Sequence, residues 1–347
     1  FFFNPHPANP DSSTSRGLGD VYKRQHLKHF NSLFLRKYNL ICNFYVNCRS
    51  FMDKEGNFSE NLLKWYDRNA RALAWRVPPN SNKVSNPYFV WLSEIMLQQT
   101  TVVTVQPYFD KFLSKWPTIY DLALANDQDV MASWAGLGYY ARARNLLKCA
   151  RTVVREFDGK FPTCYNQLIK LPGIGPYTAS AILSIAFSKS YAVLDGNVER
   201  VMSRYYHISD PLPSSKELLQ SLAQANLSSL RPGDYNQAVM DLGATICTPR
   251  KPQCVKCPVN LSCKANEIGD PEALPKKLQK KAKPLKFGSV FIGFNEKSGY
   301  LLERREGKGL LGGMLSWPST DWSGCLNIKP PISADWIPVL GLSLIHI

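Results

Sequence analysis

The chain of 347 residues contains no apolar run long enough to cross a membrane, no internal repeat and no low-complexity tract. The first absence predicts that the protein has no membrane partner. Acidic side chains are scarce, since 27 Asp and Glu stand against 42 Lys and Arg, giving a formal charge of +15. Residues 1–51 hold seven Lys or Arg and two Asp, so the remainder keeps a charge of +10. This basic excess favours a polyanionic partner, although solubility alone also produces such a surface.

The two ends of the chain lack a clear amphipathic pattern. Residues 20–25, within the pattern-poor stretch 1–25, and residues 342–347 resemble translated adapter sequence. We interpret 342–347 as an artefact and 1–51 as an artefact or an upstream segment, and we exclude both from the fold prediction. A native start at Met52 fits the helical pattern that begins just after it, and an organelle presequence in 26–51 is the alternative.

Between residues 57 and 268, apolar side chains recur at spacings of three and four, and Pro and Gly separate the runs. This pattern is typical of helices and predicts a mostly α domain over 52–268. The predicted helices are 58–70, 89–104, 129–135, 141–156, 165–171, 178–188, 196–205, 216–230 and 234–246. Residues 269–287, rich in Lys and Pro, predict a solvated basic linker. Two strand-like runs, 288–293 and 300–304, indicate a different, β-containing domain over 288–341.

Four cysteines lie within seventeen residues, at Cys247, Cys254, Cys257 and Cys263. Four soft ligands at this density predict sulfur coordination of either zinc or an iron–sulfur cluster. Zinc sites more often show two CxxC pairs, whereas this spacing contains only one. The other five cysteines are scattered and predict free thiols in a reducing compartment.

A turn rich in glycine and proline, LPGIGPYTA at residues 171–179, opens onto a helix of small residues. The backbone N–H groups that such a turn leaves at a helix N-terminus can bind a phosphate. Asp195 follows in a glycine-containing turn. A phosphate site beside a lone carboxylate indicates chemistry on nucleic acid, although an ordinary helix cap fits the turn equally well.

Two further motifs carry polar groups within apolar or glycine-rich surroundings. Glu94 and Gln98, in WLSEIMLQQT, are four residues apart and are predicted to share a helical face. Apolar neighbours would raise the pKa of Glu94 and suit it to general acid catalysis, unless it is an ordinary surface glutamate. Tyr139 and Tyr140 follow a glycine turn and precede two arginines, which suits either a wedge between bases or core packing.

Together these motifs resemble the helix-hairpin-helix DNA glycosylases with an iron–sulfur cluster, and most closely their MutY-type adenine-specific members. The likeness spans residues 57–265 without a visible gap and extends weakly to 318, with four motifs in the family's order. It implies a helix-hairpin-helix glycosylase core whose four-cysteine loop, 247–263, holds a 4Fe–4S cluster. It also implies a truncated α+β MutT-like (Nudix-like) domain after the linker. The Nudix metal box is absent, so nucleotide pyrophosphatase activity is not expected.

The resemblance implies a monofunctional glycosylase of base excision repair that hydrolyses the N-glycosidic bond of adenine mispaired with 8-oxoguanine or guanine. Tyr177 stands where bifunctional relatives such as endonuclease III carry a Schiff-base lysine, and no lysine lies between Lys170 and Lys189. Glu94 would protonate N7 of a flipped adenine, and Asp195 would stabilise the oxocarbenium-like cation. The alternatives are a bifunctional endonuclease III-like glycosylase and AP lyase, or a non-catalytic metal-containing DNA-binding protein.

The resemblance alone implies the remaining roles. Asn197 and Tyr177 would support Asp195 and the water. The adenine pocket would be lined by Trp75, Arg76 and Gln237, and DNA would be contacted by Gln98, Gln99, Leu137, Tyr139, Gly173 and Gly175. Ala74 replaces the family's usual Pro before the Trp-Arg pair. The expected partner is double-stranded DNA with a mispaired adenine, bound by a monomer. It would be met at the nucleoid in a bacterial cytoplasm, or in a eukaryotic nucleus or mitochondrion.

Overall fold

The computed structural model describes residues 58–81, 83–279, 284–295, 299–306, 312–325, 329–330, 333 and 337. The expectations for residues 1–51, for a start at Met52 and for 342–347 therefore lie outside the described residues. Backbone contacts divide the chain into the units 1–61 and 62–347. In the first unit only residues 58–61 are described, and they form the first turn of a helix.

Within these ranges the chain is mainly helical, as the sequence predicts. The α-helices are α1 (Phe58–Asn69), α2 (Pro87–Leu97), α3 (Val102–Lys115), α4 (Ile119–Leu124), α5 (Asp127–Trp134), α6 (Ala141–Phe157), α7 (Tyr165–Leu168), α8 (Pro176–Ala181), α9 (Gly196–Tyr205), α10 (Lys216–Ala225), α11 (Pro232–Thr245) and α12 (Lys264–Ile268). A π-helical turn, Ile182–Ala186, continues α8, and 3₁₀ turns occur at Cys254–Lys256, Asn260–Ser262 and Pro271–Ala273. No helix among the described residues combines the length and hydropathy needed to span a membrane.

The predicted helix 89–104 is wrong, because the structure divides it into α2 and α3. α2 ends at Leu97, and Gln99 adopts a left-handed backbone with φ of 60° that stops the helix. Thr101 then caps α3 by accepting a hydrogen bond from the Thr104 amide at 3.4 Å. Gln98 consequently lies in the turn between the two helices and not on a helical face shared with Glu94.

α2 is buried along most of its length, which places its one carboxylate inside the domain. Trp91 and Met96 have no exposed surface, and Glu94 is only 7% exposed. The surrounding core is aromatic, with the rings of Phe112 and Trp134 packed edge to face at 5.9 Å. A surface position for Glu94, the alternative left open by the sequence, is therefore wrong.

α9 and α11 cross closely, and the crossing brings Asn197 to a defined place. A Cβ atom added to Gly243 on α11 would lie 2.6 Å from the Cβ atom of Asn197 and within 3.2 Å of its backbone. Because the obstruction includes main-chain atoms, only glycine permits this approach. Asn197, two residues after Asp195, is thus held against α11.

Most described residues of the predicted linker 269–287 are exposed, but the segment is anchored to the helical domain in its first half. Leu274 is buried at 2% exposure, and its carbonyl oxygen accepts a hydrogen bond from Arg204 Nε at 3.0 Å. The backbone of residues 276–278 also pairs with Leu212, whose N–H donates to the Lys276 carbonyl at 2.9 Å. An apolar anchor and a buried guanidinium therefore fix the first half of this segment on the helical domain.

The described residues beyond 284 contain two short antiparallel pairs. β1 (Phe294–Asn295) pairs with β2 (Gly299–Tyr300), and β3 (Glu303–Arg304) pairs with β4 (Leu315–Ser316). Of the predicted strand 288–293, Val290 makes a single bridge to Ser319. The MutT-like assignment of 288–341 stays a prediction.

Candidate active site

A cavity of about 450 Å³ opens where α2, α8, α9 and α11 meet, and this volume is in the usual range for a small-molecule site. Its walls bring together all seven residues that the sequence predicts for chemistry or base recognition. These are Trp75, Arg76, Glu94, Tyr177, Asp195, Asn197 and Gln237. Gln98 and Gln99 line the same cavity. Residues far apart in sequence thus form one site, and their individual roles remain predictions.

Glu94 is set up to hold a proton near neutral pH. Burial raises the pKa of its carboxyl to about 7, against a partial lowering by a hydrogen bond with Tyr177 and by the positive charge of Arg76. The negative charge of Asp195 adds to the increase. The Tyr177 hydroxyl also lies 3.4 Å from the Met240 sulfur. A carboxyl group in this environment can donate a proton at physiological pH.

Asp195 immediately precedes α9 and caps it. Its Oδ1 accepts hydrogen bonds from the amides of Asn197 at 3.0 Å and Val198 at 2.8 Å, and its Oδ2 accepts one from Asn197 Nδ2 at 2.8 Å. Burial raises the pKa of Asp195, while these hydrogen bonds and the charge of Arg200 act to lower it. Three donors on one carboxylate favour its ionised form. The site therefore contains one carboxyl, Glu94, with a pKa raised to about 7, and a second, Asp195, that accepts three hydrogen bonds.

Other residues that line the cavity suit a flat heterocycle. Trp75 is 7% exposed and its ring meets Phe109 edge to face at 5.2 Å. Arg76 and Gln237 place a guanidinium and an amide along the same cavity. Gln237 is buried, and its Nε2 donates to the Gly233 carbonyl at 3.3 Å. An aromatic side chain combined with a few fixed polar groups is the usual means of orienting a planar ligand.

Sequence reasoning missed two charged residues at this site, one that lines the cavity and one that binds the arginines lining it. Arg71 lines the cavity, and Asp241, which has no exposed surface, binds both Arg71 and Arg76. The signal that could have revealed Asp241 is its place in an apolar helical run, between Met240 and Leu242. A carboxylate in such a run is seldom buried without a paired cation.

Two turns contain an exposed residue with left-handed backbone. Gln99 is exposed, and Tyr139 is 64% exposed with φ of 47°. Such backbone costs about 1–3 kcal/mol per residue and persists where neighbouring structure fixes it. Here Arg142 does so, because its Nη1 donates to the Gln98 carbonyl at 2.5 Å and its Nη2 to the Leu137 carbonyl at 2.9 Å.

The remaining predicted DNA contacts lie outside the cavity. Leu137 is 5% exposed and belongs to the hydrophobic core, which differs from a side chain placed near a base. Gly173 and Gly175 form the turn between α7 and α8. Gly173 has φ of 78° and lies so close to Asn145 that a Cβ atom would meet its Cβ at 3.0 Å. The left-handed backbone and this close approach both favour glycine at position 173.

The four clustered cysteines line a second, smaller cavity together with Arg204. All four are free thiols. Arg204 is 2% exposed, and its Nη1 lies 3.4 Å from Cys247 Sγ and 2.7 Å from the Thr248 carbonyl. Within the described ranges, no three His, Cys, Asp or Glu side chains converge closely enough to hold a single metal ion. The thiols therefore surround a space without meeting at one point.

Arg200 connects this cysteine loop to the active-site cavity. Its Nη2 donates to Asn197 Oδ1 at 2.8 Å and to the Gly243 carbonyl at 2.6 Å, and its Nε donates to the Cys247 carbonyl at 2.7 Å. Asn197 in turn donates to Asp195. A continuous set of hydrogen bonds thus runs from the first cysteine to the capping carboxylate.

Comparison with known proteins places this geometry in a family. Residues 92–226 match the HhH-GPD superfamily of base excision DNA repair proteins. The chain is 48% identical over 215 residues to adenine DNA glycosylase from Rattus norvegicus, which covers 60% of the chain and 42% of the relative. It is 46% identical over 222 residues to the enzyme of that name from Homo sapiens, covering 62% and 41%. The chain therefore spans less than half the length of these mammalian relatives.

A bacterial relative is covered more fully. Adenine DNA glycosylase from Buchnera aphidicola subsp. Schizaphis graminum is 39% identical over 267 residues, which are 76% of the chain and 75% of the relative. Among solved structures, a thermostable thymine-DNA glycosylase superposes with a TM-score of 0.54 at 30% identity, covering 61% of the chain and 95% of that protein. A non-covalent endonuclease III–DNA complex gives 0.51 at 21% identity, with 60% and 94% coverage. The mostly helical glycosylase fold is confirmed.

Proposed function

We propose that this chain, which belongs to the adenine DNA glycosylases of the HhH-GPD superfamily, hydrolyses the N-glycosidic bond of adenine in DNA without cutting the strand. The observation that carries the proposal is that two carboxyls, the buried Glu94 and the part-buried Asp195, line one cavity together with Trp75. Glycoside hydrolysis uses such a pair as acid and cation stabiliser.

In the proposed mechanism the adenine leaves the base stack and enters the cavity, with Trp75 along its face. Glu94 protonates N7, which makes the base a neutral leaving group. Asp195, held by its amide donors, stabilises the oxocarbenium-like state electrostatically or by transient covalent capture, and a water completes hydrolysis. Tyr177 orients the Glu94 carboxyl through their hydrogen bond, and Asn197 orients Asp195.

Strand cleavage is not part of the proposal. Among the described residues that line the cavity none is a lysine. By the resemblance, Tyr177 stands where bifunctional relatives carry their amine nucleophile. A bifunctional glycosylase and lyase would form a Schiff base with the abasic sugar. Borohydride would reduce that Schiff base to a stable covalent complex, so we expect no trapped product on abasic DNA.

We also propose that Cys247, Cys254, Cys257 and Cys263 hold a 4Fe–4S cluster. The donor set fits, because each iron of such a cluster takes one thiolate and the four thiols surround a common cavity. The cluster would supply structural order to the loop, whose exposed Arg250, Lys251 and Lys256 would contact phosphates. A brown protein with broad visible absorbance supports this assignment, and a colourless zinc protein refutes it.

Double-stranded DNA with adenine opposite 8-oxoguanine or guanine is the proposed substrate, bound by a monomer. Tyr139 and Gln98 would wedge into the stack, Gln99 would lie near the opposite base, and the Gly173–Gly175 turn would hold the backbone. The cellular site would be the nucleoid of a bacterium, or the nucleus or mitochondrion of a eukaryote.

The decisive experiment is single-turnover base release from duplexes with adenine opposite 8-oxoguanine, guanine and thymine, with a borohydride arm. Rapid release of free adenine from an intact strand, fastest opposite 8-oxoguanine, is the expected result. Release of an oxidised pyrimidine with a strong trapped complex would instead establish the bifunctional alternative. DNA binding without any release would support a non-catalytic protein.

A further inference from the structure

We propose that Asp241 is a positioning residue of this site, since its buried carboxylate fixes the guanidiniums of Arg71 and Arg76 on the cavity wall and offsets their charge beside Glu94. The inference rests on the proposed function for its reaction, but its physical content concerns only the side chains. Asp241 lies on α11 and does not line the cavity itself, whereas the two arginines that it binds do.

The contacts of Asp241 are unusually complete for one carboxylate. Arg71 donates its backbone N–H to Oδ2 at 3.1 Å and its Nε to Oδ1 at 2.6 Å. Arg76 donates Nη1 to both oxygens, at 2.9 and 2.8 Å. The Asp241 side chain is fully buried, whereas those of Arg71 and Arg76 are 28% and 9% exposed. One carboxylate thus sets the position of two cations that line the cavity.

Stability alone gives no clear reason for this arrangement. A buried ion network is often no more stable than apolar residues of similar volume, because desolvation offsets the attraction between the charges. The position of the network next to the candidate acid offers a reason in electrostatics. With Asp241 ionised, the group of Arg71, Arg76 and Asp241 carries one positive charge, and without it two.

The charged and titratable groups that influence Glu94 come from several elements. Tyr177 on α8 and Arg76, in the segment after α1, lower the pKa of Glu94, and Asp195, before α9, raises it. Asp241 on α11 acts on this balance through Arg76, whose own pKa it raises. Loss of the Asp241 charge would leave Arg76 free to favour ionised Glu94. The proton needed for catalysis would then be lost at a lower pH.

The test compares Asp241→Asn and Asp241→Glu with the unmodified chain in single-turnover adenine release between pH 5 and 9, on folded protein verified by circular dichroism. We expect the descending limb of the Asp241→Asn profile to move to lower pH by about one unit or more. The rate at pH 8 would then fall about tenfold, while the rate at pH 5.5 approaches that of the unmodified chain. Asp241→Glu should keep the original limb.

Asp67→Asn is the matched control, because Asp67 also pairs with an arginine across a large sequence separation, but its partner Arg231 does not line the cavity, whereas Arg71 and Arg76 do. It should leave the limb in place. An Asp241→Asn profile that is reduced by one factor at every pH would overturn the proposal and leave Asp241 a structural residue only. In an Arg76→Gln background, which removes one of the two uncompensated cations and the one that acts on Glu94, Asp241→Asn should no longer move the limb. An undiminished shift there would also overturn it.

A second readout separates this inference from the proposed function. ¹³C NMR of the labelled Glu94 carboxyl reports its titration in the absence of DNA. If the unmodified chain releases no adenine, the proposed function fails. A lower titration midpoint in Asp241→Asn than in the unmodified chain still upholds the role of Asp241, and identical midpoints refute it.

Discussion

Replacing Asp195 by Asn removes one negative charge from the candidate active site and leaves its atoms almost in place. Oδ1 caps α9 through the Asn197 and Val198 amides, and Asn is as effective an N-cap as Asp. The new amide group would face Asn197 Nδ2, now 2.8 Å from Oδ2, so one side-chain hydrogen bond is lost. That loss costs about 1 kcal/mol.

Two effects therefore nearly cancel in the stability of this variant. The lost hydrogen bond destabilises the fold, while the neutral amide avoids the desolvation that raises the pKa of Asp195. We expect the free energy of unfolding to change by about 1 kcal/mol or less. The rate of adenine release should fall by about 10²–10³-fold or more, because the group that stabilises the developing cation has lost its charge.

The assay measures single-turnover release, duplex binding and denaturant unfolding on the same preparation. Asp195→Ala serves as a comparison, because it removes the cap as well and should cost about 1 kcal/mol more in stability. Asp121→Asn is the matched control, since Asp121 accepts hydrogen bonds from Thr118 at the start of α4 and lies away from the cavity. Full turnover by Asp195→Asn would refute the assigned mechanism. A rate loss that merely follows unfolding would refute the electrostatic reasoning.

Base release should decline as pH rises above about 7, because Glu94 donates a proton and burial raises its pKa to about 7; a flat profile would exclude it as the acid. The raised pKa of Glu94 also affects the free energy of unfolding. Its contribution of about 3 kcal/mol is fully present below pH 4.5 and is lost as pH rises towards 7. Glu94→Gln should abolish both effects, as urea unfolding at pH 5 and 8 would show. Arg200→Gln breaks the link between Asn197 and Cys247, so we expect about tenfold slower release and faster proteolysis of the cysteine loop; unchanged values for both would disprove the coupling. Arg142→Lys keeps the positive charge but loses most of the hydrogen bonds that Arg142 donates to the turns at Gln98 and Leu137. We expect it to reduce duplex affinity more than it reduces the rate of base release at saturating DNA.

Much of the fold could be predicted from the sequence because its signals are local. Apolar spacing indicated the helices, and the family membership that the motifs implied is confirmed by relatives covered along most of their length. The error over 89–104 has a local cause as well. Gln98 and Gln99 are good helix formers, so their helix propensity does not predict the left-handed backbone at Gln99 that separates α2 from α3.

The candidate site was predicted less completely. Glu94, Tyr177 and Asp195 were found because each lies in a recognisable motif, and the structure brings them to one cavity. Arg71 and Asp241 belong to no motif, since their partnership spans 170 residues. Pairings at that separation depend on how the helices pack, and the spacing of apolar residues along the sequence does not predict this packing.

The sequence by itself determined which chemical groups are available: two carboxylates in distinctive motifs, a tyrosine in the place of a lysine, and four clustered thiols. These are properties of residue identity and spacing along the chain. The tertiary structure decided their ionisation and their partners. Burial of α2 raises the pKa of Glu94, and the close crossing at Gly243 sets Asn197 beside Asp195. The physical reason is that desolvation and charge–charge interaction depend on distances in space, and those distances exist only once the helices have packed.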